Sequence, residues 1–296
     1  MTSHKGNRNP REAGPKPPFP QKKISWPGSD RQMTPPADHG ESSYTGHGRL
    51  KDQVAIVTGG DSGIGRAVAI AFAKEGADVI LNYLPEEEPD AQETEKHVQA
   101  AGRKAVRVAD DIGDPATSKK LVKTAQEAFS RLDIVVNNAG FQMVREEISE
   151  VSPEEVDKTF RTNMFGTFFL CQAALPVLKP GASIINSCSI EAYTPEPGLL
   201  AYAATKAALV NFTKNLLKLA AEKGVRVNGV APGPVWTPLI PSTMPEDKPK
   251  NFGKNTVFGR PAQPIELARL YVFLASNDAS YVSGEIYGAT GGRMPV

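Results

Sequence analysis

The sequence predicts an α/β chain: a seven-stranded parallel sheet wound by helices on both faces, in a single domain that follows an extended N-terminal arm. Three observations carry this. From Leu50 onward, short β-branched runs alternate with amphipathic stretches of helix length, the pattern of strand–helix–strand units. The first run empties into a glycine-rich turn, Thr58-Gly59-Gly60-Asp61-Ser62-Gly63-Ile64-Gly65, which opens at once into a helical segment. Residues 1–48 show neither period and hold eight of the chain's 25 prolines.

Taken in order, the strand candidates are QVAIVTG near 53–59, DVILNYL near 78–84, AVRVAD near 105–110, LDIVVNNAG near 132–140, SIINSCS near 183–189, VRVNGVAP near 225–232 and EIYGATGG near 285–292. Helical stretches separate them: GRAVAIAFAKEG, AQETEKHVQAAG, SKKLVKTAQEAFSRL, one long segment from Ser152 to Lys179, AYAATKAALVNFTKNLLKLAAEKG and PIELARLYVFLAS. Ser152 followed by Pro153, with Glu155 three residues on, is a helix start: an N-cap hydroxyl, a proline whose missing N–H costs nothing there, and a capping acid. The division predicted is an arm over 1–48 and a doubly wound Rossmann-type domain over 49–296.

The arm alone cannot bury enough surface to offset its ordering entropy. Phe19, Trp26 and Tyr44 give it three aromatic anchors. Two alternatives stay open: extended docking along the globular surface or a neighbouring subunit, or plain disorder.

Composition excludes several classes. Hydrophobic residues make up 40% and charged residues 23%, as in ordinary soluble proteins, and no apolar run reaches the roughly 18 residues that a membrane helix needs. The N-terminus lacks the apolar centre of a secretory signal, so a cytoplasmic protein is expected. Cys171 and Cys188 lie in apolar sequence and are expected as small buried hydrophobes. His4, His39, His47 and His97 show no ligand spacing, so no metal site is predicted. The first 50 residues carry eight basic and four acidic side chains, leaving the remainder at 26 against 29, with no basic stripe for nucleic acid.

Glycines in the first turn permit a tight bend and let N–H groups at a helix N-terminus meet a pyrophosphate. At the other end, Tyr202 and Lys206 stand one helical turn apart in Tyr-Ala-Ala-Thr-Lys, on one helix face. A phenol titrates near pH 10, and a neighbouring cation favours its phenolate, which brings it toward a useful acid/base range. Ser189 lies thirteen residues before Tyr202, and Asn137-Asn138-Ala139-Gly140 closes the fourth strand.

The GxxxGxG spacing, NNAG, the Ser-to-Tyr interval and Tyr-x-x-x-Lys together resemble the short-chain dehydrogenase/reductase family over about residues 50–296. The proline-rich extension with GGDSGIGRAVA and APGPVWTPL looks like its N-terminally extended, glucose/ribitol dehydrogenase-like branch. The resemblance implies a catalytic set of Tyr202, Lys206, Ser189 and Asn163. In it the phenol is acid/base, Ser189 holds the substrate oxygen, Lys206 tunes the phenol and binds the cofactor ribose, and Asn163 shapes a helix kink and a water relay. It implies cofactor contacts at Gly59, Asp61, Ser62, Gly63, Ile64, Gly65, Tyr83, Asp111, Ile112, Asn138, Ala139 and Gly140. Further contacts come from Pro232, Gly233, Val235 and Thr237, with Asp111 toward the adenine and Thr237 toward the carboxamide. Asn137 and Asn138 are expected to brace the central strands. The implied reaction is hydride transfer between NAD or NADP and an alcohol or carbonyl compound, a polyol, sugar or small aldehyde. A non-catalytic dinucleotide sensor is the rival.

Asn82, Tyr83 and Leu84 occupy the end of the second strand, where an acid would grip a ribose 2′-hydroxyl and an arginine a 2′-phosphate. The acidic run Glu86-Glu87-Glu88 leans the expectation toward NAD; a strong NADP preference would need a basic residue such as Arg66 or Arg107 to reach the phosphate. Residues 238–262, with Met244, Phe252 and Phe258, are expected as a substrate lid. The resemblance also implies a homotetramer built on the helices near 153–179 and 200–223 and the C-terminal strand region.

Overall fold

The computed structural model describes residues 9–293. His4 and the first eight residues of the arm lie outside them. The strands are β1 (Val54–Thr58), β2 (Asp78–Tyr83), β3 (Ala105–Ala109), β4 (Ile134–Asn137), β5 (Ser183–Ser187), β6 (Arg226–Pro232) and β7 (Ile286–Ala289). They pair in parallel, in the order β3-β2-β1-β4-β5-β6-β7. The helices are α1 (Gly63–Lys74), α2 (Glu88–Ala100), α3 (Pro115–Phe129), α4 (Pro153–Phe160), α5 (Gly166–Ala174), α6 (Leu200–Ala221), α7 (Leu239–Thr243) and α8 (Pro264–Ala275).

Helices cover both sheet faces, so the central strands are apolar on both: all five residues of β1 and all four of β4 are buried. Alternation sorts them. Ala55 and Val57 face a cluster with Phe72 of α1 and Tyr271 of α8, while Val54 and Ile56 face Leu121 of α3, Leu170 of α5 and Ala220 of α6. Burying a side chain such as Phe72 contributes about 1.5–3 kcal/mol. Starts follow local chemistry: Asp114 Oδ1 accepts from Ala116 N at 2.8 Å ahead of α3, and Ser152 Oγ from Glu155 N at 3.2 Å ahead of α4.

Three predicted elements differ in the structure. The fourth strand stops at Asn137 rather than at 140, because the Asn138 side chain turns back to donate to the carbonyls of Thr58 and Gly59, at 3.0 and 3.2 Å. The long helix over 152–179 is interrupted: Arg161–Phe165 form a π turn between α4 and α5. That widened turn presents Asn163, wholly buried, to the loop after β4. The segment 238–262, expected as a loop, contains α7.

The arm packs on its own chain. Phe19 and Met33 are buried against Trp236, whose indole N–H donates to Pro35 O at 2.8 Å. Tyr44 is buried, and its hydroxyl donates to the Glu75 carboxylate at the end of α1, which also accepts from Arg49 Nη2 at 2.7 Å and from the backbone of His47 at 2.8 Å. Burial alone would raise the Glu75 carboxyl, but these donors outweigh it and hold it down at about 2. Lys74 Nζ donates to the carbonyls of Gly40, Glu41 and Tyr44 at 2.9, 2.6 and 3.0 Å, fastening the arm to the same helix end. Both cysteines are buried and free. Among the described residues no helix is long and apolar enough to cross a membrane.

Candidate active site

The strand order reverses between β1 and β4, and a crevice opens beyond their carboxyl ends. Gly59, with φ +60°, makes the turn out of β1. Gly65 lets α1 close on that turn, since a Cβ there would lie 1.7 Å from Gly59 O. Ser62 is the N-cap of α1 yet makes no side-chain cap bond; Gly63 N donates to the Asp30 carboxylate at 3.0 Å, and the positive dipole end of the helix still favours an anion in the cleft.

The crevice is a cleft of about 1100 Å³. It brings together Gly59, Asp61, Ser62, Gly63, Ile64, Tyr83, Asp111, Ile112, Asn138, Ala139, Gly140, Pro232, Gly233, Val235 and Thr237 with Ser189, Tyr202 and Lys206. Gly65 and Asn163 lie behind its wall. The chemistry of the lining fits a dinucleotide. Besides the helix N-terminus, the buried Asp61 carries a carboxylate oxygen, Oδ2, without a partner among the described residues.

At the far end of β2, Asn82 is committed to structure: its Nδ2 donates to Asp110 O at 2.7 Å. The Tyr83 hydroxyl donates to Glu88 Oε2 at 2.5 Å. Asp111 Oδ1 accepts from Gly113 N at 2.8 Å while its side chain stays at the cleft. Burial raises the carboxyls of Asp61, to about 7, and Glu87, to about 8, and the charge of Asp61 adds to the rise at Glu87. Neither arginine proposed for a 2′-phosphate is available. Arg66 is buried and donates to Asp61 O at 2.8 Å and Asp90 O at 3.1 Å, and Arg107 pairs with Glu88 and, at 2.8 Å, with Glu95.

The acid/base end is built on β5 and α6. Ser189, just past β5, accepts from Glu191 N at 3.1 Å. Burial pushes the Tyr202 phenol up to about 12, against a lowering by its hydrogen bond with Ser189. Burial pushes the Lys206 ammonium down to about 8. Lys206 Nζ donates to Ser187 O at 2.7 Å and lies 5.4 Å from the Tyr202 ring centroid. The expected lowering of the phenol by the cation does not prevail in the chain alone, because desolvation favours the neutral form of each group. Asn163 is held on three sides: Oδ1 accepts from Phe141 N at 2.7 Å, and Nδ2 donates to Phe141 O at 2.8 Å and to Thr205 Oγ1 at 3.0 Å.

Sequence reasoning missed part of the lining. Trp26 and Pro27 of the arm, Phe141, Gln142, Lys158 and Glu191 all face the cleft, as do Met244 and Phe252 of the expected lid, whereas Phe258 does not. Trp26 lies in a segment without periodicity, and nothing local distinguishes it from the other aromatic anchors, Phe19 and Tyr44.

Known proteins resemble this chain along nearly its whole length. The family model described as enoyl-(acyl carrier protein) reductase matches residues 59–293. The uncharacterized oxidoreductase YghA of Escherichia coli (strain K12) is 50% identical over 276 residues, 93% of this chain and 94% of that protein. NADPH-dependent aldehyde reductase 1, chloroplastic, of Arabidopsis thaliana is 45% identical over 280 residues, 93% of this chain and 97% of that one. A crystal structure of a short-chain dehydrogenase from Burkholderia cenocepacia J2315 in complex with NADP superposes with a TM-score of 0.75 at 30% identity, over 82% of this chain and 98% of that one.

Proposed function

Because the chain belongs to the short-chain dehydrogenase/reductase family, whose members are NAD(P)-dependent oxidoreductases, we propose that it moves hydride between NAD(P) and an alcohol or carbonyl carbon, with Tyr202 as acid/base. The observation that carries this reading is the convergence of the Tyr202 phenol, the Ser189 hydroxyl and the Lys206 ammonium at one end of the cleft. Bound NAD(P) supplies the hydride donor or acceptor.

In reduction, the neutral Tyr202 phenol gives its proton to the carbonyl oxygen as the carbon gains hydride, while Ser189 donates a hydrogen bond to that oxygen. In oxidation the phenolate takes the hydroxyl proton, and Lys206, held on Ser187 O, is the cation that favours it. Burial keeps the phenol protonated, up to about 12, so in the chain by itself Tyr202 holds the proton that the reductive step donates. Asn163 acts as a positioning residue: it fixes Phe141 beside the cleft and Thr205 next to Lys206. The substrate class is a polyol, a sugar or a small aldehyde. Gln142 and Glu191 at the cleft offer partners for substrate hydroxyls, and the similar Arabidopsis protein carries the name of an aldehyde reductase.

The expected lean toward NAD finds no support in the relatives, one named NADPH-dependent and one solved with NADP. A 2′-phosphate of NADP in this part of the cleft would stand near Asp61 and Glu87. Burial favours their neutral forms, so at lower pH they do not meet the phosphate as two anions. A homotetramer belongs to the same proposal, supported by Phe165, Phe168 and Leu219, which stand 40%, 44% and 61% exposed on the π turn, α5 and α6.

Three outcomes are expected. Tyr202→Phe lowers turnover on alcohols, sugars or aldehydes by about two or more orders of magnitude while dinucleotide binding survives; near-normal turnover would remove Tyr202 from the chemistry. As pH rises through about 7 and about 8, Asp61 and Glu87 become charged, so the Kd for NADP weakens relative to that for NAD. A flat ratio of the two, read by fluorescence titration across that window, contradicts the charge argument. Sedimentation gives a tetramer, and a monomer at working concentration rejects that part.

A further inference from the structure

The arm does more than pack on the body. On one rim of the cleft it is bound to the segment after β6: Ile24 N donates to Pro241 O at 3.2 Å, and Pro27 O lies 3.3 Å from Ser242 Oγ, whose proton goes to Pro238 O at 2.8 Å. Gly28, with φ +88°, passes so close that a Cβ there would lie 3.0 Å from Pro238 O. On the opposite rim the Trp26 ring meets Phe141 edge-on, with centroids 5.4 Å apart at 87°. The Lys158 ammonium of α4 sits over the same indole, 3.5 Å from its centroid. Trp26 and Pro27 therefore cross from α7 to α4 and line the cleft together with Ile64 of the glycine turn.

A few residues on, the arm is fastened to that turn. Asp30 is buried, and its Oδ2 accepts from Gly63 N at 3.0 Å, with Arg66 Nη1 at 3.4 Å and His39 Nε2 at 3.1 Å. Buried between these two cations, the Asp30 carboxyl is held below its ordinary value in spite of desolvation, and His39 stays protonated up to about 9. The first helical N–H of α1 is thus oriented by a residue of the arm.

Trp26 also differs from the other aromatic anchors. Phe19 and Tyr44 are 4% exposed and belong to the core, whereas Trp26 is only half-buried and turns toward open cleft. Lys158 is lowered by partial burial, and Asp111 and Glu86 attract it without making an ion pair among the described residues. A cation held on an aromatic face at the edge of a cleft, without a carboxylate of its own, is suited to an anionic ligand group.

We propose that Trp26 and Pro27 form a strap across the dinucleotide cleft. Trp26 seats Lys158 toward an anionic group of the dinucleotide, Asp30 clasps the strap to the glycine turn, and the arm thereby sets how slowly the dinucleotide leaves. This rests on the reading of the cleft as an NAD(P) site. It adds residues outside the motif-bearing domain to that site, and it makes the arm a determinant of cofactor retention.

The test uses the full chain, with NADH and NADPH fluorescence giving Kd and rapid-mixing displacement giving the dissociation rate. Trp26→Ala is expected to raise the dissociation rate about tenfold with an unchanged melting temperature, and Trp26→Phe, which keeps an aromatic face, to recover most of the loss. If Trp26→Ala does not fold, Lys158→Gln carries the test: a weaker Kd with a shallower salt dependence supports the strap, and wild-type affinity overturns it. Wild-type dissociation in Trp26→Ala, with the parent chain binding normally, overturns the strap alone. A changed KM for the carbonyl substrate with unchanged dinucleotide kinetics also overturns it, since it would assign Trp26 to the substrate. A parent chain that binds neither dinucleotide overturns the functional reading and the strap together.

Discussion

A half-buried polar seam between the ends of β1 and β4 governs the geometry of everything above it. Thr58 Oγ1 accepts from Asn138 N and Ala139 N at 2.9 and 3.0 Å, while the Asn138 amide returns to the Thr58 and Gly59 carbonyls. Each such bond adds only about 1 kcal/mol net, but a partner left unmade on the buried Thr58 side costs about 1–3 kcal/mol. The seam therefore acts through penalty: both strands must stop at one level, and the crevice opens there. Asn137 Nδ2 carries the connection to Asn186 Oδ1 at 2.8 Å, and Asn186 Nδ2 to Thr213 Oγ1 of α6 at 2.9 Å. The helix bearing Tyr202 and Lys206 is thus tied to the same frame as the glycine turn.

Within that frame, burial rather than pairwise charge decides the protonation states. Tyr202 moves up and Lys206 moves down, each toward its neutral form, and Asp61 and Glu87 follow the same rule. The cleft consequently carries less fixed charge than its residue types suggest. The carboxyls of Asp61 and Glu87 oppose an anionic ligand less than two full charges would, and the cleft keeps a phenolic proton available for donation.

Much of this was legible in the sequence, for identifiable reasons. Strands buried on both faces read as continuous apolar runs, and the motif residues act through local spacing, as Tyr202 and Lys206 do across one helical turn. Distance in the chain hid the rest. Asp30 meets Gly63, and Trp26 meets Phe141 and Lys158, only after the arm has crossed the domain, and no periodicity marks either contact. The resemblance implied a kink at Asn163, where the π turn stands, but local spacing did not show its hydrogen bond to Phe141, in another loop. The net effect of burial on Tyr202 was equally out of reach, since spacing shows a neighbouring cation but not how dry the pair is.

Hydride transfer itself is tested most directly by following the atom that moves. With NADH or NADPH carrying deuterium at one face of nicotinamide C4, offered with a panel of aldehydes and sugars, the account predicts that the label arrives on the former carbonyl carbon of the product. It predicts transfer from one face only, with the new hydroxyl proton drawn from solvent through Tyr202. A chain that binds the labelled dinucleotide but transfers deuterium to no carbonyl compound, and gives none back from a labelled alcohol, would contradict the account and leave a dinucleotide-binding protein without this chemistry.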